Sequence, residues 1–408
     1  MLATQALRRR RRILSRSRDG KCAAFIVSTL LLSAAGLAAQ QEYPSLAPKD
    51  AVSMALGGVF TAIPTAEFSF FGNPAAFAAS AATLTLLSAD TWAYLKPTGP
   101  NIASLAADMT SRNPLSALAG FMPGNGGVGG GASVGIGYAG KGLGLGLFAT
   151  SDNYAAGVSV PGAVLTSDTE IDVVLGLGMP MKLLGSTLSI GGDLRPFYRA
   201  LAVDSLADAS NSLTSSSGAG GIQTTVSGSP DAVDAGFGLA MDLGAALQLG
   251  SVGIGVSIRD ISPTFPVWTG SFKQFADSLE TGALPTASGS ANTAVLVPNV
   301  GAGMSWTPHF IPGVVDPAVY LEIQDVVRVV QNWDGIGSAL DLLHAGIEVK
   351  VLNFITLRGG IDRGWLSAGA GVRLLFLDLN AAVFTEELGA LPGDSPRSGL
   401  ALQAAIRF

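Results

Sequence analysis

The side chains in this sequence that could support acid–base, nucleophilic or metal chemistry are few. There are two histidines, His309 and His344, and one cysteine, Cys22. A catalytic or structural zinc site needs three or four such ligands, and a Ser-His-Asp site needs a histidine between a nucleophile and an acid. Residues 124–129 match G-x-G-x-x-G, but an alternating segment follows where a dinucleotide site needs a helix. We therefore predict no enzyme, no metal site and no cofactor.

Charged side chains instead recur at alternate positions of short apolar segments. In residues 345–351 the apolar side chains fall on one face, and Glu348 and Lys350 fall on the other. Residues 355–362 place Arg358 and Asp362 in the same way. Because successive side chains of a strand point to opposite faces, each segment predicts a strand with one apolar and one polar face. The charges on such polar faces are Glu170, Asp172, Asp193, Arg195, Arg259, Glu322, Glu348, Lys350, Arg358 and Asp362.

The elements that would carry these charges are predicted to form an all-β transmembrane barrel. Hydrophobic residues make up 48% of the chain and charged residues only 13%, against about 25% charged in soluble proteins. No run of 18 or more apolar residues follows residue 38, so spanning helices are not predicted. A closed antiparallel barrel is the other structure in which every backbone N–H and C=O group is hydrogen-bonded within lipid. A soluble sandwich or solenoid is the alternative, and it predicts many more lysines and glutamates.

About fourteen segments have the length and alternation of barrel strands, and an even number is expected for a bacterial outer-membrane barrel. They are residues 82–95, 131–139, 142–151, 167–179, 186–200, 232–246, 249–261, 292–306, 316–329, 340–351, 354–363, 365–375, 377–387 and 399–408. Long polar loops are predicted at 201–231 and 262–291, with a short helix at 272–279. A third gap, 96–130, holds a possible helix at 102–110. Both barrel termini would then lie in the periplasm.

The N-terminus has the pattern of a secretory signal peptide. Eight basic residues within positions 8–21 precede an apolar run at 22–37, and small residues follow at 36–39. This order predicts cleavage after residue 38; a membrane anchor is the alternative, although a spanning helix needs about 20 apolar residues. The remaining chain would have 16 basic and 29 acidic residues, because eight of 24 and one of 30 are lost. Such a charge excludes nucleic acid as a partner.

The C-terminal strand ends in an aromatic residue on its apolar face. Leu400, Leu402, Ala404, Ile406 and Phe408 alternate with polar or small residues. A terminal aromatic on an alternating strand resembles the signal that the outer-membrane assembly machinery reads. We therefore interpret Ile406 and Phe408 as an assembly signal, and the assembly machinery as a partner.

The segment after the leader, residues 47–78, carries Gly57 and Gly58 and then Asn73, Pro74 and Ala75. This pattern resembles the N-terminal hatch of FadL-like outer-membrane proteins, and residues 317–408 resemble the spirochaete-like branch of that superfamily. The two glycines permit a tight turn, and Pro74 restricts Asn73 to extended conformations. A loop leading into the first strand is the alternative interpretation of this segment.

The resemblance implies a 14-stranded barrel of residues 81–408 whose lumen holds a hatch, residues 39–80. It implies an outer-membrane location among phospholipid and lipopolysaccharide or glycolipid, and passive uptake of hydrophobic small molecules such as fatty acids. A structural or shuttle barrel of the same family, serving secretion or surface assembly, is the alternative function.

Arg259, Arg358 and Glu348 are the candidate ligand contacts in the lumen, because a guanidinium group binds a carboxylate in a bidentate manner. A structural ion-pair network is the alternative. If Arg358 binds a ligand carboxylate, Arg358→Ala lowers uptake of a carboxylated lipid and spares uncharged hydrophobic molecules. Uptake assays with the two substrate types check this, and equal loss of both would contradict it.

Overall fold

The computed structural model describes residues 41–43, 46–63, 69–96, 126–157, 164–183, 185–205, 233–270, 292–308, 313–331, 333, 336–388 and 395–408. The chain divides into two compact units, residues 1–42 and 43–408. Of the first unit, only Gln41 and Glu42 are described, and they belong to the short strand β1 (Gln41–Tyr43). The predicted signal peptide, His309 and the possible helices at 102–110 and 272–279 lie outside the described residues.

Fourteen antiparallel strands close into a ring, as the sequence predicts. The ring strands are β2 (Thr83–Lys96), β3 (Gly126–Gly140), β4 (Leu143–Gly157), β5 (Val164–Leu183), β6 (Ser186–Ser205), β7 (Val233–Leu249), β8 (Val252–Ile261), β11 (Asn299–Trp306), β12 (Val315–Ile323), β13 (Leu343–Val351), β14 (Ile355–Asp362), β15 (Trp365–Leu374), β16 (Leu377–Glu387) and β17 (Pro396–Arg407). Each strand pairs with the next ring strand along the chain, so that β8 pairs with β11. The last strand, β17, pairs with β2 and completes the ring.

Two further strands correct the prediction around residues 262–306. β9 (Phe265–Gly270) lies in the predicted polar loop and continues β8 along β7. β10 (Asn292–Leu296) pairs with β9 and is separated from β11, so the predicted strand 292–306 is broken. The break falls at Val297 and Pro298, where proline has no N–H to donate to a strand ladder. The N–H of Val297 instead donates to the carbonyl oxygen of Tyr43 at 3.0 Å.

The predicted strand 316–329 extends too far at its C-terminal end. β12 ends at Ile323, and the chain turns at Asp325, whose φ is 53°. Two short helices follow, α2 (Val326–Gln331) and α3 (Ile336–Leu340), before β13 begins. Within the described residues, no helix is long and apolar enough to cross a membrane.

The outer surface of the ring is apolar. On β17, Leu400 and Leu402 are 46% and 45% exposed. Gln403, the next residue of the same strand, faces inward and is buried. The same alternation holds around the ring. Other exposed apolar side chains on the strands include Val134, Ile136, Leu145, Leu147, Val173, Leu175, Leu239, Ile254, Val256, Leu321, Ile347, Leu357, Leu379 and Val383.

Two ends of the barrel are distinguished by their connections. The Phe408 end has short turns, such as those at Lys141 and Gly142 and at Leu375 and Phe376. At the opposite end, called the loop end, one turn is short, Arg363 and Gly364, and residues 324–342 carry two short helices. The other strands of this end are joined through residues 97–125, 158–163, 206–232, 271–291 and 389–394, which are not described.

The lumen is occupied by residues 46–63 and 69–80, called the luminal segment. It contains helix α1 (Ala51–Ala55), which begins at Asp50, whose side chain accepts from the backbone N–H of Val52 and Ser53 at 3.0 and 2.9 Å. Burial raises the pKa of the Asp50 carboxyl, and hydrogen bonds from Ser53 and Val52 oppose this effect. The helix buries Ala51, Val52 and Ala55 against the wall.

Glycines of the wall allow the luminal segment to pack directly on the strands. A Cβ atom on Gly360 would lie 2.2 Å from the backbone nitrogen of Gly57, and one on Gly244 would lie 2.0 Å from Oδ1 of Asn73. A Cβ atom on Gly191 would lie 2.1 Å from the carbonyl oxygen of Pro74. A side chain at these positions would push the luminal segment off the wall, which accounts for part of the 53 glycines in the chain.

Gly360→Ala is expected to destabilise the protein by about 1–3 kcal/mol, because the added methyl group overlaps backbone atoms of the luminal segment. Gly359→Ala is the matched control, since its Cβ atom would have no neighbour nearer than 3.7 Å. Urea unfolding in lipid vesicles compares the two variants. Equal stability of both would contradict direct packing of the luminal segment on β14.

Candidate functional site

Gly57 and Gly58 form the turn that the sequence predicts. Their φ angles are 72° and 78°, a region that glycine adopts without strain. The carbonyl oxygen of Gly57 lies 2.8 Å from Nδ1 of His344, and the carbonyl oxygen of Gly58 accepts from Nε2 of Gln324 at 2.7 Å. The turn is thereby fixed to β13 and to the end of β12. His344 also lies 3.2 Å from Asp362, so its ring connects the turn with β14 as well as β13.

A buried carboxylate holds the next residues of the luminal segment. Glu322 accepts from the backbone N–H of Phe60 at 3.1 Å and from that of Thr61 at 2.9 Å. Glu322 is 1% exposed, so these bonds replace contacts with water. The hydroxyl groups of Thr61 and Ser257 lie 3.2 Å apart. Alternation placed Glu322 on a polar face, but no local signal identified Thr61 as its partner.

Asn73, Pro74 and Ala75 start a 3-10 helix (Pro74–Ala78) against the wall. The side-chain nitrogen of Asn73 donates to the carbonyl oxygens of Thr61 at 2.9 Å and Ala245 at 3.3 Å. Its side-chain oxygen accepts from the N–H of Ala75 at 3.0 Å. Asn73 therefore links two parts of the luminal segment to each other and to β7, while Pro74 occupies a position where no backbone donor is needed.

Four phenylalanines form an aromatic cluster where the luminal segment meets β4. The ring centre of Phe70 lies 5.5 Å from that of Phe77 and 5.0 Å from that of Phe148. Phe71 lies edge-on to Phe148 at 4.8 Å. Such edge-to-face and tilted pairs are favourable aromatic contacts. No local pattern in the sequence indicates this cluster, because Phe148 comes from β4 and the other three members from the luminal segment.

A cavity of 310 Å³ lies beside the luminal segment. Its lining includes Phe60, Phe70, Phe71 and Phe148. The lining also extends from Arg363 and Glu386 near the loop end to Thr85 and Arg407 near the Phe408 end. A second cavity of 680 Å³ opens at the Phe408 end and shares Val52 and Arg407 with the first. The two cavities therefore adjoin along the inside of the wall.

The predicted ligand contacts lie in different places. Arg358 and Glu348 are brought together, with Nε of Arg358 2.7 Å from Glu348, and Arg358 also donates to Asn380 at 2.9 Å. Both line the cavity at the Phe408 end. Arg259 lines the other cavity, where its guanidinium group lies 5.2 Å from the ring centre of Phe60. The pair Arg358 and Glu348 thus has the character of a structural ion pair, whereas Arg259 borders the aromatic cavity.

A network of buried charges joins β5, β6, β7 and β8. Arg195 is 1% exposed and lies 3.1 Å from Glu170, 3.0 Å from Asp172 and 3.7 Å from Asp242, and it also contacts Asp260. The sequence placed Glu170, Asp172 and Arg195 on inner faces, and the structure brings them together. In the part of the chain that the structure describes, no group of three or more His, Cys, Asp and Glu side chains could hold a metal ion.

A second set of contacts ties the luminal segment to the wall near the loop end. Lys49 lies 2.6 Å from Glu386, which also accepts from Nε of Arg397 at 2.7 Å. The guanidinium group of Arg397 stacks on Tyr94, 3.7 Å from the ring centre, and lies 4.7 Å from that of Tyr154. Sequence reasoning missed these residues, because Lys49 and Glu386 lie 337 positions apart and local patterns do not relate them.

Comparison with known proteins gives similarity of structure only. No family model and no curated protein matches the chain. The Ralstonia pickettii toluene transporter TbuX is similar at 11% identity, covering 88% of this chain and 98% of that chain, with a TM-score of 0.49. The Pseudomonas putida toluene transporter TodX is similar at 13% identity, covering 90% and 99%, with a TM-score of 0.45.

A Pseudomonas aeruginosa FadL homologue, from the family that residues 47–78 resemble, is similar at 14% identity. It covers 91% of this chain and 99% of that chain, with a TM-score of 0.43. The three TM-scores lie below 0.5. The protein itself is a closed 14-stranded barrel with an apolar exterior, whose lumen contains residues 46–63 and 69–80 beside open cavities.

Glu322→Ala is expected to loosen the luminal segment, because it leaves the buried N–H groups of Phe60 and Thr61 without their acceptor. The cost is about 2–6 kcal/mol, from roughly 1–3 kcal/mol for each of the two unsatisfied groups. Hydrogen exchange at the Phe60 and Thr61 amides should accelerate strongly, and less in Glu322→Gln, which keeps one acceptor oxygen. Unchanged exchange in Glu322→Ala would contradict the role of this carboxylate.

Proposed function

We propose that this chain is an outer-membrane barrel for the passive uptake of hydrophobic small molecules. The observation that carries the proposal is the cavity lined by Phe60, Phe70, Phe71 and Phe148, which runs beside the luminal segment toward both ends of the barrel. Ligand pockets are mostly apolar and contain a few polar groups that orient the ligand, and roughly 300 Å³ is the lower end of their usual size. This cavity has that size and an aromatic side, and ten ionisable side chains, Arg259 among them, line the rest of it.

The outer membrane is the location that fits the surface of the ring. Apolar side chains cover its exterior, and a closed ring leaves no unpaired strand edge in lipid. Short turns are typical of the periplasmic side, so the Phe408 end and both barrel termini are assigned to the periplasm. The loop end then faces lipopolysaccharide or glycolipid outside. Delivery by a cleaved signal peptide at residues 1–38, and recognition of Ile406 and Phe408 by the assembly machinery, complete the assignment.

The luminal segment acts as the hatch in this proposal, within residues 39–80 of a chain whose barrel is residues 81–408. Glu322, His344, Gln324 and Asn73 all bond it to the wall or to itself, so its displacement would break many buried hydrogen bonds. Passage through the cavity beside it requires only rearrangement of side chains. We therefore assign the path to the gap between the luminal segment and β2, β3 and β4.

The substrate class follows from the aromatic lining. Phenyl rings favour flat or flexible apolar molecules, such as fatty acids or monoaromatic compounds. Toluene, a compound of the second kind, is the substrate of the structurally similar transporters TodX and TbuX. Arg259 remains the proposed partner for a carboxylate, because it borders this cavity. Arg358 and Glu348, which lie at the mouth near the Phe408 end, are proposed to contact the ligand as it leaves.

The function is tested by expressing the chain in a strain that cannot take up oleate. Growth on oleate, together with uptake of radiolabelled toluene, would support transport. Correct insertion without either activity would overturn the proposal and favour the shuttle or structural role. Surface labelling and heat-dependent mobility in gels establish insertion.

Ser88→Phe is expected to reduce uptake at least severalfold without loss of insertion, because Ser88 is buried on β2 and lines the aromatic cavity. Thr91→Phe is the matched control, since Thr91 lies on the outward face of the same strand and is exposed. Initial uptake rates of both variants are compared at equal protein levels. Unchanged uptake in Ser88→Phe would show that substrates take another path.

A further inference from the structure

Two leucines occupy backbone positions that leucine ordinarily avoids. Seven non-glycine residues among those described have positive φ. Five of them are polar: Lys141, Asp260, Asp325, Asn353 and Arg363. The other two are Leu352 and Leu375, with φ of 52° and 56°. Asparagine, aspartate and glycine tolerate this conformation better than leucine does, so the turns themselves do not call for leucine.

Both leucines are also exposed. Leu375 is 93% exposed and Leu352 is 54% exposed. They lie at the tips of two neighbouring hairpins at the Phe408 end, β13–β14 and β15–β16. An exposed apolar side chain on a strained backbone does not stabilise the protein that contains it. Its presence at both tips therefore indicates a contact outside the protein.

These tips belong to a continuous apolar rim. Backbone hydrogen bonds run from the N–H of Leu352 to Val314, from that of Arg373 to Phe354, and from that of Arg407 to Phe376. The rings of Phe376 and Phe408 stack, with centres 5.7 Å apart and an interplanar angle of 14°. We call this surface the apolar rim; its members are Val314, Leu352, Phe354, Leu374, Leu375, Phe376 and Phe408.

The opposite part of the same end is different. Its described turns carry Lys141 and Gly142, Gly185, and Gly250 and Ser251. Apart from Lys141, these are residues that hairpin turns usually prefer. Among the described turn residues of this end, apolar side chains therefore occupy the tips only along β12 to β17, although Leu183 and Leu249 are exposed at the strand ends beside the other turns.

The rim also borders positive charge. The cavity that opens here is lined by Lys350, Arg358, Arg373 and Arg407 and by only two acidic residues, Glu348 and Asp378. The side chain of Arg373, next to Leu374, pairs with Asp378 and is still 58% exposed. Aromatic and basic side chains beside an apolar surface are the combination found where proteins meet the headgroup layer of a membrane.

We propose that the apolar rim is immersed in the headgroup layer of the periplasm-facing leaflet, with Arg373 against the phosphate groups of anionic phospholipid. The occupant is lipid because the rim is continuous with the exterior that faces lipid, and because the adjoining charge is positive. The barrel is then anchored more deeply along β12–β17 than along β3–β8. This inference rests on the membrane location proposed above.

Site-directed spin labelling tests the proposal. The sequence has a single cysteine, Cys22, so one substitution removes the native labelling site. In a Cys22→Ser background, Leu375→Cys, Lys141→Cys and Leu402→Cys are labelled with a nitroxide and reconstituted in vesicles of phosphatidylethanolamine and phosphatidylglycerol. Collisions with oxygen, which partitions into lipid, are compared with those of a water-soluble nickel chelate. The ratio of oxygen collisions to nickel-chelate collisions should be severalfold higher at residue 375 than at residue 141, where Lys141 has a similar φ of 54°.

The three positions separate the possible failures. A lipid signal at residue 402 with an aqueous signal at residue 375 would overturn the rim proposal alone, and would favour contact with a periplasmic protein. An aqueous signal at residue 402 would overturn the membrane location itself. Replacing phosphatidylglycerol with phosphatidylcholine should lower the ratio at residue 375 and leave that at residue 402 unchanged; no change at residue 375 would overturn the role of anionic lipid.

Discussion

The structure depends on the pairing of every backbone N–H and C=O group in the strands of the ring. Fourteen strands achieve this only by closing, and closure rests on the pairing of β17 with β2. Once the ring is closed, its outer side chains determine the surroundings it can occupy and its inner ones determine what the lumen can hold. The apolar exterior and the charged, glycine-rich interior are therefore two consequences of one constraint.

Glycine connects this constraint to the site. A strand with side chains on its inner face would keep the luminal segment several ångströms from the wall, but Gly191, Gly346 and Gly360 let backbone meet backbone. Buried polar groups then satisfy the segment where it has no secondary structure of its own, as Glu322 does for Phe60 and Thr61. The cavity lies where the packing is made by phenylalanine rings instead.

Alternation predicted the strands best where polar side chains mark the inner face. β16 has the predicted bounds, 377–387, and the turn glycines and Asn73 of the luminal segment were also visible in the sequence. β9 was missed because Phe265–Gly270 contains proline and apolar residues on both faces. The bond between Thr61 and Glu322 joins residues 261 positions apart, so local patterns carry no trace of it. The aromatic cavity was missed for the same reason.

The seam between β17 and β2 also orders the events of assembly. Gln403 donates to Asp90 at 2.8 Å across 313 positions, so the ring is sealed only when the last strand is in place. The luminal segment directly precedes β2, and its last residues are held at the Phe408 end, where Ala79 accepts from the N–H of Lys141. Once the ring is closed, a segment attached to its first strand cannot pass through the wall into the lumen. Docking of the segment and sealing of the cylinder are consequently coupled steps, and the slow search for the final strand leaves time for the interior to fill.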